Sequence, residues 1–190
     1  MASASFLLVA LALAGCAGTT NHFEVAAPAI TLAPATASVR TTPVSMRIPA
    51  IKVATHVGSL GLNADKTVQV PSKPMQAGWY RYGPAPGQAG SAVILGHVDS
   101  KTGPAVFARL KELRAGDKVT VTMANHSVVR YAVTKVATYA NAKFPARKVY
   151  GATGPSTLNL VTCGGSYDKS NGGYQSNVVV YTSLALPTKK

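Results

Sequence analysis

Acidic side chains are scarce in this sequence: 6 Asp and Glu face 19 Lys and Arg among 190 residues, so the net charge at pH 7 is +13. A surface this basic attracts polyanions such as nucleic acid, anionic lipid or an anionic surface polymer, or it serves solubility alone. So few carboxylates offer no ligand cluster of the kind that holds calcium, and we expect no metal and no cofactor. No recognition helix, zinc finger or aromatic RNA-binding motif is present, so nucleic acid is not an expected partner.

Long hydrophobic runs are also missing. The longest one near the start, Phe6 to Ala14, is shorter than the roughly 20 apolar residues that span a bilayer. It has the length of a signal-peptide core, and the "LAGC" that closes it resembles a bacterial lipobox. We therefore predict a signal peptide at residues 1–15 and lipid attachment at Cys16. The alternative is an ordinary cleaved signal in which Cys16 has no role.

Cysteine is also scarce, since the chain has only Cys16 and Cys163. Either form of signal predicts export to the outer face of a bacterial cell membrane, where thiols tend to be oxidised. Cys16 lies in a processing segment, so a disulfide with Cys163 is not expected. Cys163 is then a lone thiol in an exported domain, which marks it as a reactive candidate.

The composition divides the chain into a tether and one folded domain. Residues 16–45 are rich in Ala, Thr and Pro and too poor in large apolar side chains to fold, so they read as a flexible tether. Residues 46–190 are long enough for a single core. Short segments rich in Val, Ile, Thr and Tyr predict strands: "SMRIPAIKV", "SAVILGHV", "KVTVTMA", "SVVRYAVTKVATYA", "TLNLVTC" and "NVVVYTSL".

Other features complete a mainly β prediction. "TVTMANHSVVRYAV" reads as a hairpin with "NHS" at its turn. "PAVFARLKEL" has the apolar spacing of a helix, and "PARKVYG" predicts a further short turn. Regularly spaced strands with one or two brief helices indicate a closed or nearly closed barrel.

A reactive thiol needs a neighbouring base, and histidine is the usual one. After the tether the candidates are His56, His97 and His126. His97 follows a fully apolar strand and precedes a loop, which is where catalytic side chains tend to lie. The apolar strand that leads to Cys163 would pair beside it in a barrel. Spacing alone leaves open a Cys–His dyad or a structural cysteine with a surface histidine.

Two blocks of the sequence resemble the signature blocks of sortases, the cysteine transpeptidases of Gram-positive cell surfaces. These blocks are "GHVDSKTGPAVFARLKELRAGDKV" and "LVTCGGSYDKSNGGYQSNVVVY". The similarity is greatest to the actinobacterial class F group. Three further segments follow the order of that group: "IPAIKV", "LGLNADKTVQVP" and "AGWYRYGPAPGQAG". The resemblance implies an eight-stranded β-barrel with one or two short helices. It also implies that His97 is the catalytic histidine and that Cys163 is the nucleophile that forms an acyl-thioester.

The chain departs from this family pattern at the third catalytic residue, an arginine on the strand after the cysteine loop. Related class F sequences read "YRDNVVV", whereas this chain reads "YQSNVVV", which puts Gln175 or Asn177 in the arginine's place. Losing one transition-state donor typically lowers the rate about 100- to 1000-fold. Arg109 or Lys169 is a candidate substitute cation, or both are solvated surface charges.

The implied activity is cleavage of a sorting-motif peptide resembling LPxTG and transfer to an amine acceptor of the cell wall. Backbone N–H groups of "CGG" are expected to contribute to the oxyanion site, since glycine allows close approach. Asp99 and Asp168 are expected to order the loops around the site. Two alternatives stay open: a purely hydrolytic variant, and a weakly active or inactive sortase-fold lipoprotein that binds wall polymer or peptide.

Overall fold

The computed structural model describes residues 41–185. The predicted signal peptide, Cys16 and most of the predicted tether lie outside these residues. Ten strands are present within them: β1 (Pro43–Ile48), β2 (Val53–Leu60), β3 (Ala77–Tyr80), β4 (Ser91–Gly96), β5 (Asp99–Ser100), β6 (Gly103–Pro104), β7 (Lys118–Met123), β8 (Val128–Ala140), β9 (Thr157–Asp168) and β10 (Gly173–Leu184).

Eight of these strands form a closed barrel in the order β1-β2-β3-β4-β9-β10-β8-β7, and β7 pairs with β1 to complete it. Most neighbours are antiparallel, but β2 pairs with β3 and β4 pairs with β9 in parallel. The remaining two strands, β5 and β6, make a small separate hairpin directly after β4. The predicted mainly β barrel is confirmed.

The barrel interior is filled by alternate side chains of its strands, as the two-residue period of a strand requires. Four fully buried residues represent this inner set: Met46, Ile94, Val121 and Leu160. Burial of each large aliphatic side chain contributes about 1.5–3 kcal/mol to folding. The interior is therefore a packed core, and any reaction site has to lie at an end or on the outer face.

A second apolar cluster covers part of the outer face. It comprises Val93, Val149, Val161, Val179 and Tyr181. The chain between β8 and β9 supplies the cover with a 3-10 turn (Asn141–Lys143) and a short α-helix, α1 (Ala146–Val149), the one α-helix among residues 41–185. This segment is fixed to β9, because the buried side-chain amide of Asn159 donates to the Val149 carbonyl at 2.7 Å.

The structure corrects two local predictions. "SMRIPAIKV" is not one strand: Pro49 begins a 3-10 turn (Pro49–Ile51), and Lys52, in the left-handed region at φ 57°, starts the return. "PAVFARLKEL" is not an α-helix and forms only one 3-10 turn (Leu110–Glu112). The predicted hairpin is present, with its turn at Asn125–Ser127 between β7 and β8. No helix within residues 41–185 is long and apolar enough to cross a membrane.

Candidate active site

The parallel pairing of β4 and β9 brings His97 and Cys163 together. Leu95 pairs with Val161 in this ladder, so the same register carried two residues further places His97 beside Cys163. Leu95 and Val161 both pack in the outer cluster. Because side chains alternate across a strand, residues two positions later project to that same face. The predicted histidine and cysteine therefore lie on neighbouring parts of the barrel, His97 directly after the end of β4 and Cys163 within β9.

The His97 ring is oriented by the loop between β2 and β3. Its Nε2 lies 2.7 Å from the Pro71 carbonyl oxygen. A carbonyl only accepts, so Nε2 carries the hydrogen and donates it. In the neutral ring this leaves the lone pair on Nδ1, which is the nitrogen available to exchange a proton. The other two candidates do not belong here: His56 is exposed on β2, and His126 lies in the β7–β8 turn at φ 64°.

Cys163 lies within β9 rather than at its end, since the strand continues to Asp168. The residue is exposed and forms no disulfide within the part of the chain that the structure describes. Protein packed against the inner side of the thiol still removes part of its hydration, and this burial raises the pKa of Cys163 above its ordinary value. The negative charge of Asp99 raises that pKa further. At neutral pH the resting thiol is therefore protonated and needs a base to react.

Asp99 and Tyr174 join the loops on the two sides of the thiol. The Tyr174 hydroxyl donates to Asp99 Oδ2, and this bond, with the nearby charge of Asp99, raises the pKa of Tyr174 to about 12. The Tyr174 ring also packs edge-on against Tyr167, with centroids 5.1 Å apart. Asp168 accepts from the Ser170 backbone N–H at 2.9 Å and orders the β9–β10 connection. Both carboxylates thus hold loops, as the sequence predicts.

Gln175 and Asn177 differ in what they can offer a substrate. Gln175 turns back on its own loop: Nε2 donates to the carbonyls of Asn171 at 2.8 Å and Gly173 at 2.6 Å, which uses both of its hydrogens. Asn177 pairs directly with Cys163 across the ladder. Its Nδ2 donates once, to Asn141 Oδ1 at 2.9 Å, and no residue among 41–185 takes the second hydrogen.

A cleft of about 370 Å³ opens beside the thiol. Cys163, Gly164, Gly165 and Tyr174 are among the residues that line it. The rest of the lining comprises Val98, Phe107, Ala108, Lys111, Thr138, Thr162 and Val178. This volume lies within the range of about 300–1,000 Å³ that is typical of ligand sites.

The cation that lines this cleft is not one that the sequence singled out. Arg109 forms an exposed ion pair with Glu112 at 2.7 Å and lines a different cleft. Lys169 lies in the exposed 3-10 turn (Lys169–Asn171) between β9 and β10. Lys111 lines the cleft instead, two positions along from Arg109.

No group of three or more His, Cys, Asp and Glu side chains that could hold a metal ion occurs within residues 41–185. Residues 46–185 match the family model of the sortase domain. The chain belongs to the sortase family.

Solved sortases share this barrel. Sortase A from Corynebacterium diphtheriae, in a lid mutant, aligns at a TM-score of 0.60 with 16% identity, over 76% of this chain and 70% of that one. Sortase C1 from Streptococcus agalactiae aligns at 0.58 with 18% identity, over 75% and 67%. Sortase D5 from Clostridium perfringens aligns at 0.57 with 18% identity, over 76% and 79%. No curated protein sequence matches the chain. These neighbours support the fold and leave the class F resemblance a prediction.

Several residues of this sortase site escaped prediction. Asn141 holds Asn177 and also donates to the Tyr174 carbonyl at 2.7 Å, so the β8–β9 segment supports the cysteine from outside. Pro71 orients the histidine from a loop far away in sequence. Neither residue type is chemically distinctive, so only the folded contacts identify them.

The charge of Asp99 predicts a measurable effect on the thiol of this sortase. Asp99→Asn removes a negative charge that disfavours the thiolate, so the pKa of Cys163 should fall. At a pH below the pKa of both proteins, the variant then has a larger thiolate fraction than the wild type. Iodoacetamide should therefore alkylate Cys163 of the variant several-fold faster at pH 7.5. At a pH above the pKa of both proteins the two rates should converge.

Two controls accompany this measurement. Asp65→Asn removes a charge from an exposed loop and should leave alkylation unchanged. Tyr174→Phe removes the hydrogen bond but keeps the Asp99 charge, so it should not accelerate the reaction. An unchanged or slower rate in Asp99→Asn would show that its charge does not reach the thiol.

Proposed function

We propose that the protein is a cell-surface cysteine transpeptidase that cleaves a sorting-motif peptide resembling LPxTG and transfers the acyl fragment to a cell-wall amine. The observation that supports the proposal is the parallel β4–β9 register, whose last pair, Leu95 with Val161, lies two residues before His97 and Cys163. Family membership supports the same reaction class. The class F subgroup, export and a lipid anchor on Cys16 belong to the proposal as well.

The first half of the reaction forms the thioester. His97 Nδ1 accepts the Cys163 thiol proton as Sγ attacks the scissile carbonyl carbon. The tetrahedral intermediate then expels the amine, which takes the proton from the imidazolium as the C–N bond breaks. The His97–Pro71 bond keeps Nδ1 directed to this exchange throughout.

The second half resolves the thioester. An incoming amine loses a proton to His97 Nδ1 and attacks the thioester carbonyl, and Cys163 leaves and takes that proton from the imidazolium to become the thiol. If water takes the place of the amine, the product is a free acid, which is the hydrolytic variant of the same site. A mixed product with excess amine acceptor would identify a transferase that water partly diverts.

The oxyanion donors in this proposal are Asn177 and backbone N–H groups at Gly164 and Gly165. Asn177 is supported by its position across the ladder from Cys163 and by its second amide hydrogen. Gly165 has φ 76°, a conformation that favours glycine, and an added Cβ would lie 2.8 Å from Ser176 Oγ. Gln175 is the less favourable donor, because both its amide hydrogens are donated to carbonyls of its own loop.

A weakly active or non-catalytic lipoprotein that binds anionic surface polymer or peptide is the second candidate. Two observations favour it: the family arginine is absent from the strand after the cysteine, and the net charge is +13. A neutral donor such as Asn177 makes a hydrogen bond about half as strong as a charged one. The raised pKa of Cys163 points the same way.

One experiment separates these functions. The full chain is incubated with a library of LPxTG-like peptides, with and without an amine acceptor, and intact mass reports the acyl adduct. We expect an adduct in the wild type, none in Cys163→Ala, and ligated product when the amine is present. Wild-type protein that gives no adduct with any peptide would favour the binding protein.

A further inference from the structure

The carboxylate of Asp99 stands near the nucleophile although its charge opposes the reaction. Burial raises the pKa of the Cys163 thiol, and the charge of Asp99 raises it further. The same negative charge would disfavour the oxyanion of a tetrahedral intermediate. Thiol nucleophiles are usually activated by positive charge, so a carboxylate here needs a compensating role. Its hydrogen bond indicates one.

Asp99 accepts a hydrogen bond from the Tyr174 hydroxyl. Asp99 follows His97 by two residues, and Tyr174 lies on β10, the strand that pairs with the cysteine-bearing β9. Within residues 41–185 this is the one hydrogen bond that joins residues 97–104 to β9 or β10. A bond to an ionised acceptor is about twice as strong as a neutral one, so it can hold the two segments together.

The β4–β9 ladder stops before it reaches the reacting pair. Its last pair is Leu95 with Val161, two residues ahead of His97 and Cys163. Beyond that pair the backbone turns to the segment after β6, where the His97 carbonyl accepts from the Phe107 N–H at 2.9 Å. This contact holds the histidine segment from one side. On the side of β9 and β10, the hydroxyl–carboxylate bond holds it.

Tyr174 is itself fixed by two further contacts. Its ring packs edge-on against Tyr167 with centroids 5.1 Å apart, and its backbone carbonyl accepts from Asn141 Nδ2 at 2.7 Å. The β9–β10 register shifts between Tyr174 and Ser176, so the regular ladder ends there. The side-chain contacts of Tyr174 therefore fix the end of the hairpin beside the thiol.

We propose that Tyr174 is a positioning residue that holds Asp99 and thereby keeps the histidine beside the thiol. This inference rests on the proposed function for the reaction that is assisted. Tyr174 gives and takes no proton in that reaction. Its effect is geometric, since a misplacement of about 1 Å between reacting groups can lower a rate on the order of 100-fold. The Pro71 carbonyl orients the imidazole ring, and Tyr174 holds the segment that carries it.

Two substitutions of Asp99 separate the hydrogen bond from the charge. Asp99→Asn and Asp99→Ala both remove the charge, but only asparagine keeps an oxygen that accepts from the Tyr174 hydroxyl. The test measures single-turnover thioester formation with a saturating peptide. Asp99→Asn should stay within about threefold of the wild type, since a weaker bond remains. Asp99→Ala should be slower by about tenfold or more. Adding Tyr174→Phe to Asp99→Ala should cause no further loss, because both changes remove one bond.

A second readout needs no peptide. Dibromoacetone can bridge the thiol and the imidazole, because bromide leaves from each of its two carbons as one bonds to Sγ and the other to Nδ1. Full-chain protein is treated with this reagent, and peptide mapping gives the fraction of alkylated Cys163 that is also joined to His97. This fraction should fall several-fold in Asp99→Ala and in Tyr174→Phe, whereas Asp99→Asn should retain it.

The controls distinguish positioning from a loss of fold or affinity. Asn125→Ala breaks a loop-closing bond from the Ser127 hydroxyl, 2.7 Å long, in the β7–β8 turn and should match the wild type in both readouts. In full-chain Cys163→Ala, adding Asp99→Ala should leave peptide affinity unchanged, since Asp99 is not among the residues that line the cleft. Thermal unfolding of each variant verifies that it is folded.

The outcomes separate this positioning role from the proposed reaction. Equal rates and equal crosslinking in Asp99→Ala and Asp99→Asn, additive losses in the double variant, or no crosslink in the wild type would overturn the role of Tyr174. A wild type that forms no thioester with any peptide would contradict the proposed function, and the crosslink would still decide the positioning role. Thioester formation with the same crosslinking in every variant would support the reaction and reject the role of Tyr174.

Discussion

His97→Ala is expected to lower the rate of acyl-thioester formation by about 100- to 10,000-fold, the usual contribution of a positioned acid–base group. The loss should appear mainly in the rate of the chemical step, because the imidazole is bound to Pro71 and is not among the residues that line the cleft beside Cys163. Rapid-quench mass spectrometry of Cys163 with a saturating peptide measures it directly.

Two controls keep this result specific. Iodoacetamide should still alkylate Cys163 in His97→Ala, which shows that the thiol remains accessible and the fold intact. His126→Ala alters an exposed histidine in the β7–β8 turn and should react at the wild-type rate. If His97→Ala formed the thioester as fast as the wild type, the base would have to be another group.

Phe107→Ala is expected to lower the free energy of unfolding by about 3–5 kcal/mol, the usual cost of truncating a buried aromatic side chain. Phe107 is 0% exposed and packs against Gly96 so closely that a Cβ there would lie 2.6 Å from its ring. A domain of this kind has only about 5–15 kcal/mol in total, so the variant should be markedly unstable.

Urea denaturation followed by tryptophan fluorescence measures this loss, because the single Trp79 is buried in the same core. Val70→Ala is the matched control, since Val70 is 60% exposed and should change stability by less than about 0.5 kcal/mol. A loss below about 1 kcal/mol in Phe107→Ala would mean that the 105–113 segment is not integral to the core.

The sequence predicted the barrel well because the longer strands can be recognised from their amino-acid composition. The Val- and Thr-rich segments of β7, β8 and β10 and the apolar segment of β4 coincide with observed strands. β3, with only Ala77–Tyr80, is too short to show a period. The 105–113 segment has helical spacing, yet Phe107, Leu110 and Leu113 all pack into the barrel interior through one 3-10 turn. Tertiary packing overrode a weak helical preference.

The sequence also predicted part of the candidate site. The proximity of His97 and Cys163 is predictable from the two apolar segments that precede them, because those segments pair in parallel as β4 and β9. Which cation lines the cleft depends on the 3-10 turn (Leu110–Glu112), because Lys111 lines the cleft that includes Cys163, whereas Arg109 lines a different one and pairs with Glu112. The orientation of His97 by Pro71 depends on a loop conformation that no local pattern encodes.

The parallel β4–β9 ladder also sets when the site exists during folding. Val93 pairs with Asn159, so this ladder closes a loop that contains β5 to β8 and cannot form from local contacts. Pairings between such distant residues form slowly, since the closure entropy precedes their stabilisation. The thiol and the imidazole therefore remain apart in any partly folded chain. Cys163 would then become reactive toward a peptide only late in folding, after β9 has paired with β4.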